Sequence, residues 1–508
     1  MNGSTDKKLF WACLIALVAT SFVFGVRSTL IGSLGREFDL SQTEIGQILG
    51  VGLWPFAISI IVFSLIIDKI GYKTAAIFAI VCHVVAIVWT LRADGYRDLF
   101  WSTFIVAIAN GTVEAFINPV VATIFNKEKA KWLNILHAGW PLGLALGALF
   151  TILLGYFDVG WRVQFAMCFL PVLVYAILVV PLRFPQQERV AAGVTYREML
   201  QEVGGVGFLI ISWLFVMGIN QMLGFSPAWW VPVLVAMGIA GVVGFYTRSA
   251  GNWMFLLVLV TMGPLATTEL GTDTWMQQLL EGDLGPRLAG WIFILISVIM
   301  TVLRFYAGPI VHKFSPIGLL VLSAFFAVVG LLFLWKAMGM ALVAAAILYA
   351  FGKTFLWSTT LGFVSEQFPK GGALTLNGVS AVGVLGMGII GTPLMGYFLD
   401  RGIDDNLRAE QPGIHQRVTG PDKATMFGDL PSINNAVVEE LNPGERASFD
   451  GVVRRNKKLA FARQATLPAF LLVCYLILFF YFRAKGGYRP EELPTKDRRP
   501  GTAGGGSE

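Results

Sequence analysis

The sequence predicts an all-α membrane protein: two six-helix halves plus an inserted two-helix hairpin, about fourteen spans in all. Three observations predict it. Of 508 residues, 56% are apolar and only 14% are charged, whereas soluble domains hold about 45–50% and about 25%. The apolar residues gather into fourteen runs, most of them near the roughly 20 residues that cross a bilayer as a helix. Short segments of the first half also recur about 243 residues later.

In chain order, six runs cover 10–34, 44–67, 74–92, 98–125, 131–156 and 161–182. Two shorter ones follow at 205–223 and 227–247, then six more at 252–271, 287–308, 316–335, 339–365, 372–399 and 464–483. In lipid every backbone polar group must be satisfied internally, which leaves helices or a closed barrel. These runs are too long and too continuous for barrel strands. The first run, about 25 residues, exceeds the apolar core of a cleavable signal.

Basic residues orient the spans, because they concentrate in cytoplasmic loops. With Lys7 and Lys8 inside, 20 of the 38 basic residues fall on the cytoplasmic side, Arg304 among them. The short outer loops hold six and the segment 401–463 holds ten, leaving Arg27 and Lys353 within spans. Both termini are therefore expected in the cytoplasm, with the chain in the plasma (inner) membrane of a bacterium. The net charge of +6 is then a signature of topology, and no nucleic-acid partner is expected. The segment 401–463 is expected outside, with 445–463 as an amphipathic helix on the membrane surface. The four cysteines all lie in apolar runs and read as small core residues. No metal or cofactor is expected.

Duplication divides the chain. Ser64-Leu-Ile-Ile-Asp68-Lys69-Ile-Gly71-Tyr-Lys73 aligns with Gly308-Pro-Ile-Val-His312-Lys313-Phe-Ser315 at an offset of 244. Leu133-Asn134 with Gly143 aligns with Leu376-Asn377 and Gly386 at an offset of 243. The expected organisation is an N-terminal half over 1–190 and a linker with the inserted hairpin over 191–250. A C-terminal half follows over 251–485, with a disordered tail over 486–508.

Asp68, Lys69, Gly71 and Lys73 resemble the loop signature of the major facilitator superfamily after its second helix. Ser64 and Tyr72 depart from it. Glu114-Ala-Phe-Ile-Asn118-Pro119, with Asn134, His137 and Gly143, is similar to the pattern of the fucose:proton symporter branch. Phe24-Gly-Val-Arg27, Glu114-Ala115 and Gly160-Trp161-Arg162 look like the anion:cation symporters. The first-helix aspartate common to both branches is missing. The resemblance covers about twelve of the fourteen spans, and it implies two halves that alternate access to a central cavity.

A charge at the bilayer centre costs about 2.5–3.5 kcal/mol even on a lenient scale, so charges within spans are informative. Arg27, Glu114, Glu269 and Lys353 lie in helices one, four, seven and ten once the inserted pair is set aside. In the family these helices line the cavity. The duplication places Glu269 opposite Arg27 and Lys353 near the counterpart of Glu114, so each pair is expected to meet. Asn110, Glu114 and Asn118 recur every four residues and share a helix face; so do Glu269, Asp273 and Gln277. Asn134 with His137, and Lys353 with Trp357, share faces as well, and Trp140 and Trp275 are plausible cavity walls.

The expected function is a secondary active transporter of a small polar solute. Arg27, Asn110, Asn118, Asn134, His137, Glu269, Lys353 and Trp357 would contact the substrate. Glu114 would carry a coupling proton, and Asp68, Lys69, Gly71 and Lys73 would form a gate. Amides beside aromatic faces suit a sugar or sugar derivative, the preferred substrate class. Two cations suit a sugar acid or phosphate ester, the alternative. Partners are then the substrate, the proton and the lipid bilayer, and the chain is expected to act as a monomer. No Gly-x-x-x-x-Gly-Lys-Ser/Thr stretch occurs, so ATP drive is not expected. No enzymatic constellation crosses the spans, and a transporter-derived sensor or scaffold is the rival class. Each residue also has a plainer reading: Glu114–Lys353 as a packing ion pair, Arg27 and Glu269 as snorkelling side chains, Asn134 and Asn377 as interhelical hydrogen bonds.

Overall fold

A computed structural model describes residues 3–40, 42–223, 225, 228–423 and 427–493. Within helices, some side chains fall outside this description, including those of Asp273, Trp275 and Gln277. Among the described residues, fourteen helices are long and apolar enough to cross a membrane. The first six are α1 (Thr5–Ile31), α2 (Gln47–Ile70), α3 (Tyr72–Leu91), α4 (Tyr96–Ile124), α5 (Lys129–Tyr156) and α6 (Trp161–Val179). The inserted pair is α7 (Tyr196–Gln221) and α8 (Trp230–Thr247). The second six are α9 (Trp253–Gly271), α10 (Leu288–Phe305), α11 (Ala307–Lys336), α12 (Ala341–Gln367), α13 (Pro369–Glu410) and α14 (Pro443–Ala484).

In lipid, helices associate through close packing of small residues, since apolar side chains gain little by leaving lipid for protein. The contact of α1 with α5 shows this: a Cβ on Gly143 would stand 2.0 Å from Ser21 Oγ, and one on Gly147 would stand 2.5 Å from the Phe22 carbonyl. The same rule docks the hairpin. Ile211 of α7 lies against Gly378 of α13, and Leu385 of α13 lies against Gly218 of α7. By contrast α8 leaves Leu234, Val242 and Phe245 exposed, a face for lipid.

Both described ends of the chain emerge on one face. Phe10 packs on Phe125 and Trp132, beside Lys129, whose ammonium donates to the Ser365 carbonyl at 3.3 Å. At this terminal face the two halves touch. The Ala130 amide donates to Glu366 Oε1 at 3.0 Å, and a Cβ on Gly362 would come within 2.6 Å of Ala130 Cα.

Two expectations are corrected. The helix foreseen over 445–463 exists, but its apolar residues pack on protein. It runs straight into the last span, capped by Asn442, whose side chain and backbone exchange hydrogen bonds with Glu445. Its Phe449 and Val452 are buried with Ile403, Leu407, Ile414 and Val438. The insertion thus has a small core of its own, completed by the antiparallel strands β1 (Thr419–Lys423) and β2 (Leu430–Ile433), with Thr419 opposite Ile433. Burying that apolar stripe against protein satisfies it without a lipid surface.

The expected disordered tail is ordered at its start. Tyr488 donates to Glu366 Oε2 at 2.6 Å, Gln367 Nε2 donates to the Arg489 carbonyl at 2.8 Å, and the Glu491 amide donates to the Glu366 carbonyl at 2.8 Å. Aromatic packing of Tyr488 on Phe363 and Phe482 holds the segment. Composition alone does not register such tethering. Residues 494–508 lie outside the described residues.

Candidate functional site

The site is assembled where helices depart from regularity. In α5 the helix breaks between His137 and Gly139, and in α12 it breaks between Lys353 and Leu356. In α9 one π turn spans Thr267–Gly271 and carries Glu269; α13 has another over Met387–Gly391. Such turns and breaks free backbone groups and re-aim side chains, and they concentrate at functional positions. The two π turns pack on each other, because a Cβ on Gly391 would collide with Thr267.

Glu269 and Arg304 form the centre. Arg304 Nη2 donates to Glu269 Oε1 at 2.5 Å, and both residues are 1% exposed. The rest of the guanidinium is met by carbonyls released at the two helix breaks. Nη1 donates to His137 O at 2.8 Å and Nε to Thr354 O at 2.7 Å. Glu269 Oε2 accepts from the Trp357 amide at 2.8 Å, and Lys353 Nζ donates to the Glu269 carbonyl at 3.2 Å. A buried ion pair is tolerable when its remaining donors and acceptors are satisfied in this way.

The expected pairing of Glu269 with Arg27 is therefore replaced by Glu269 with Arg304. Placing Arg304 in a cytoplasmic loop is corrected too. The sequence did hold a signal: Arg304 sits four residues inside the apolar run 287–308. Arg304 was missed because basic residues near span ends ordinarily snorkel to the interface.

Lys353, expected to pair with Glu114, donates to the Glu269 carbonyl. Instead Asn118 Nδ2 donates to Glu114 Oε2 at 2.7 Å. The Asn118 amide oxygen then faces His137 Nε2 at 2.9 Å, which assigns the proton to that nitrogen. A chain of hydrogen bonds thus runs from Glu114 through Asn118 to His137, whose carbonyl meets Arg304 and so Glu269. It joins the N-terminal half to the C-terminal half.

The shared face of α4 is only partly kept. A step of four residues drifts by about 40° around a helix, which carries Asn110 away from this chain. Its Oδ1 lies 2.8 Å from His83 Nε2, while His83 Nδ1 lies 2.8 Å from the Tyr175 hydroxyl. Asn134 reaches across the halves: its Oδ1 accepts from Ser358 Oγ at 2.6 Å. Asn377 does the same in reverse, donating to the Ala115 carbonyl at 2.9 Å. Both match the interhelical reading.

Arg27 stands apart. It is 7% exposed, and among the described residues no hydrogen bond or ion pair holds its guanidinium. One turn earlier, Phe24 packs against Trp140 of α5. The Trp140 indole N–H is buried with no acceptor among the described residues. Trp357, 6% exposed, lies against Gly383.

At the terminal face Asp68 accepts from Arg189, at the end of the first half, and the neighbouring Glu188 pairs with Lys129 at 2.6 Å. Gly71, with φ of 80°, makes the turn between α2 and α3 that a side chain disfavours. Lys69 lies over the Tyr196 ring at 5.9 Å, and Lys73 is exposed. These four residues thus sit at the meeting of loop, linker and hairpin, remote from the buried charges.

Residues 12–271 match the model of the Major Facilitator Superfamily. The chain is 25% identical over 173 residues to a probable 4-methylmuconolactone transporter of Cupriavidus pinatubonensis, covering 33% of this chain and 40% of that one. It is 22% identical over 293 residues to a cis,cis-muconate transport protein of Acinetobacter baylyi, covering 56% and 61%. The chain therefore spans about two fifths to three fifths of the length of these relatives. Among solved structures, a bacterial homologue of the human lysosomal transporter Spinster superposes with a TM-score of 0.61 at 12% identity, over 97% of this chain and 100% of that one. The fucose:proton symporter of E. coli superposes with a TM-score of 0.58 at 13% identity, over 91% and 98%. At such identities the likeness shows the fold. With more than half of the chain matched by the family model, the protein belongs to the Major Facilitator Superfamily.

Proposed function

We propose that this transporter moves a small organic anion bearing a carboxylate, together with a proton, by alternating access. The observation that carries the reading is Arg27, a cation buried to nine-tenths that no described carboxylate neutralises. Burying an unpaired charge costs several kcal/mol, and a carboxylate ligand offsets that by charge-assisted hydrogen bonds. The unpartnered Trp140 indole on the neighbouring helix supplies a further donor. The relative described as a cis,cis-muconate transport protein agrees with a carboxylate cargo.

Glu114 is the proton carrier in this reading. It is held by a neutral amide and not by a cation, so both of its protonation states are accessible as the cavity alternates. In this reading the basic residues of the terminal face support a cytoplasmic position for that face and for both termini, in a bacterial cell. The contacts there then close the cytoplasmic side, leaving the cavity to face outward in a single, monomeric chain.

A sugar is the second reading, favoured by Trp357 and the amides of the site. It requires Asn110, Asn118 and Asn134 to exchange bonds they already make with His83, Glu114, His137 and Ser358.

Uptake of a radiolabelled unsaturated dicarboxylate into proteoliposomes, with an inward proton gradient, tests the proposal. Aromatic and unsaturated carboxylates should compete and neutral sugars should not. Arg27→Gln should raise KM by about tenfold or more, the loss of a hydrogen bond to a charged group. Competition by sugars, or an unchanged KM, overturns it.

A further inference from the structure

The segment that follows the last span reaches the first half through one side chain, Glu366 at the end of α12. Glu366 is 7% exposed, and its two carboxylate oxygens have different partners. Oε1 accepts from the Ala130 amide of the first half at 3.0 Å, and Oε2 accepts from the Tyr488 hydroxyl at 2.6 Å. Ala130 is the second residue of the helix Lys129–His137, whose own N-cap residue, Glu128, makes no side-chain cap. Glu366 therefore caps the first turn of a helix that belongs to the other half. We infer that residues 486–493 are a strap that holds the terminal face closed, by fixing the carboxylate that grips this helix.

The balance of hydrogen bonds makes the strap selective for the closed face. While the halves touch, Glu366 is shut away from water, and an oxygen left there without a donor carries the full cost of its lost hydration. Tyr488 supplies that donor. When the face opens, water reaches the carboxylate and replaces the tyrosine at little cost. The bond to Tyr488 thus stabilises the closed arrangement more than the open one, whatever the cargo.

The strap is held by α12 and α14, both of the second half. Gln367 Nε2 donates to the Arg489 carbonyl, and the Glu491 amide donates to the Glu366 carbonyl, each at 2.8 Å. The Tyr488 ring lies 6.0 Å from that of Phe363 and 5.1 Å from that of Phe482. These contacts keep the hydroxyl at Glu366.

A related arrangement recurs under the duplication. Ala373 lies 243 positions after Ala130 and is likewise the second residue of its helix, Gly372–Gly386, which also lacks a side-chain cap of its own. Gln187, in the segment that follows the last span of the first half, accepts from the Ala373 amide at 2.5 Å when its side-chain amide is turned to donate to Asp68. Each half thus sends its trailing segment to a helix cap of the other, the first directly and the second through Glu366. Recurrence at equivalent positions ties the strap to the closing surface.

Distance measurements by electron spin resonance between labels at Lys127 and Lys313 of the full-length protein test the strap. Tyr488→Phe keeps the ring packing and removes only the hydroxyl. It should lower the ratio of closed to open terminal face by about tenfold, the worth of a hydrogen bond to a charged group, seen as growth of a separate longer-distance population. Gln367→Leu loosens the strap at Arg489 and leaves the hydroxyl in place, so it should shift the ratio in the same direction by a smaller factor. An unaltered ratio in Tyr488→Phe overturns the inference. So does a single closed population that only broadens, because the segment would then order its surroundings without holding the halves together.

Discussion

Asn134 accepts the hydroxyl hydrogen of Ser358 across the two halves at 2.6 Å, and the same contact recurs under the internal duplication. Moving each partner by 243 positions relates Asn134 to Asn377 and Ala115 to Ser358, and Asn377 donates to the Ala115 carbonyl at 2.9 Å. The two halves thus grip each other twice through equivalent helices, α5 on α12 and α13 on α4. Two contacts related by the duplication hold the halves together at two points.

That arrangement should be sensitive to the nearest backbone approach. Gly362→Val places a side chain where even a Cβ would lie 2.6 Å from Ala130 Cα. Spin labels at Lys127 and Lys313, exposed on opposite halves of the terminal face, should show a longer-distance population in this variant. An unchanged distance distribution would mean that the face closes by another route.

Removing Arg304 strands Glu269. Arg304→Ala should lower stability by about 3–5 kcal/mol, the cost of leaving a buried charge without its partner. The double variant Arg304→Met with Glu269→Met should recover a large part of that loss. Thermal unfolding in detergent, followed by tryptophan fluorescence, measures both. A single variant as stable as the parent would contradict the central role of the pair.

Glu114→Gln keeps the Asn118 hydrogen bond but cannot ionise. Proton-driven, pH-dependent uptake should be lost while substrate counterflow persists, because counterflow needs no net proton movement. Uptake that still follows the proton gradient would remove Glu114 from the coupling role.

Glu128 lies in the loop between α4 and α5, where hydrogen bonding to Lys131 holds its carboxyl below the usual range and His312 of the other half adds to the effect. With the folded-state value below the unfolded value of about 4.3, its contribution is fully present above that pH. It is lost as the pH falls through the folded value. The melting temperature should therefore drop on acidification below about pH 4, and Glu128→Gln should flatten that part of the profile. Identical profiles for the two proteins would show that this latch is inert.

Much of the fold is legible in the sequence, because a span must be long, apolar and helical whatever it packs against. The fourteen runs, the inserted pair and the duplication follow from hydropathy and spacing alone. The site is legible in part. Arg27, Glu114, Glu269 and Lys353 stand out by being charged within apolar lengths of chain, whereas for Asn134 the substrate contact is the expected role and the interhelical bond it makes is only the plainer alternative. Arg304 does not stand out, since four residues from the end of an apolar run a basic side chain ordinarily reaches the interface.

The sequence by itself determined that the chain crosses a membrane about fourteen times in two related halves, and which few charges lie inside them. Tertiary structure decided who pairs with whom. Only the packed halves bring two freed carbonyls, from breaks in α5 and α12, to the same guanidinium as Glu269. Once Arg304 has taken that carboxylate, Arg27 is left as the buried cation without a described partner. Pairing of buried charges depends on distances of a few ångströms between helices far apart in the chain, and periodicity along one helix carries no information about them.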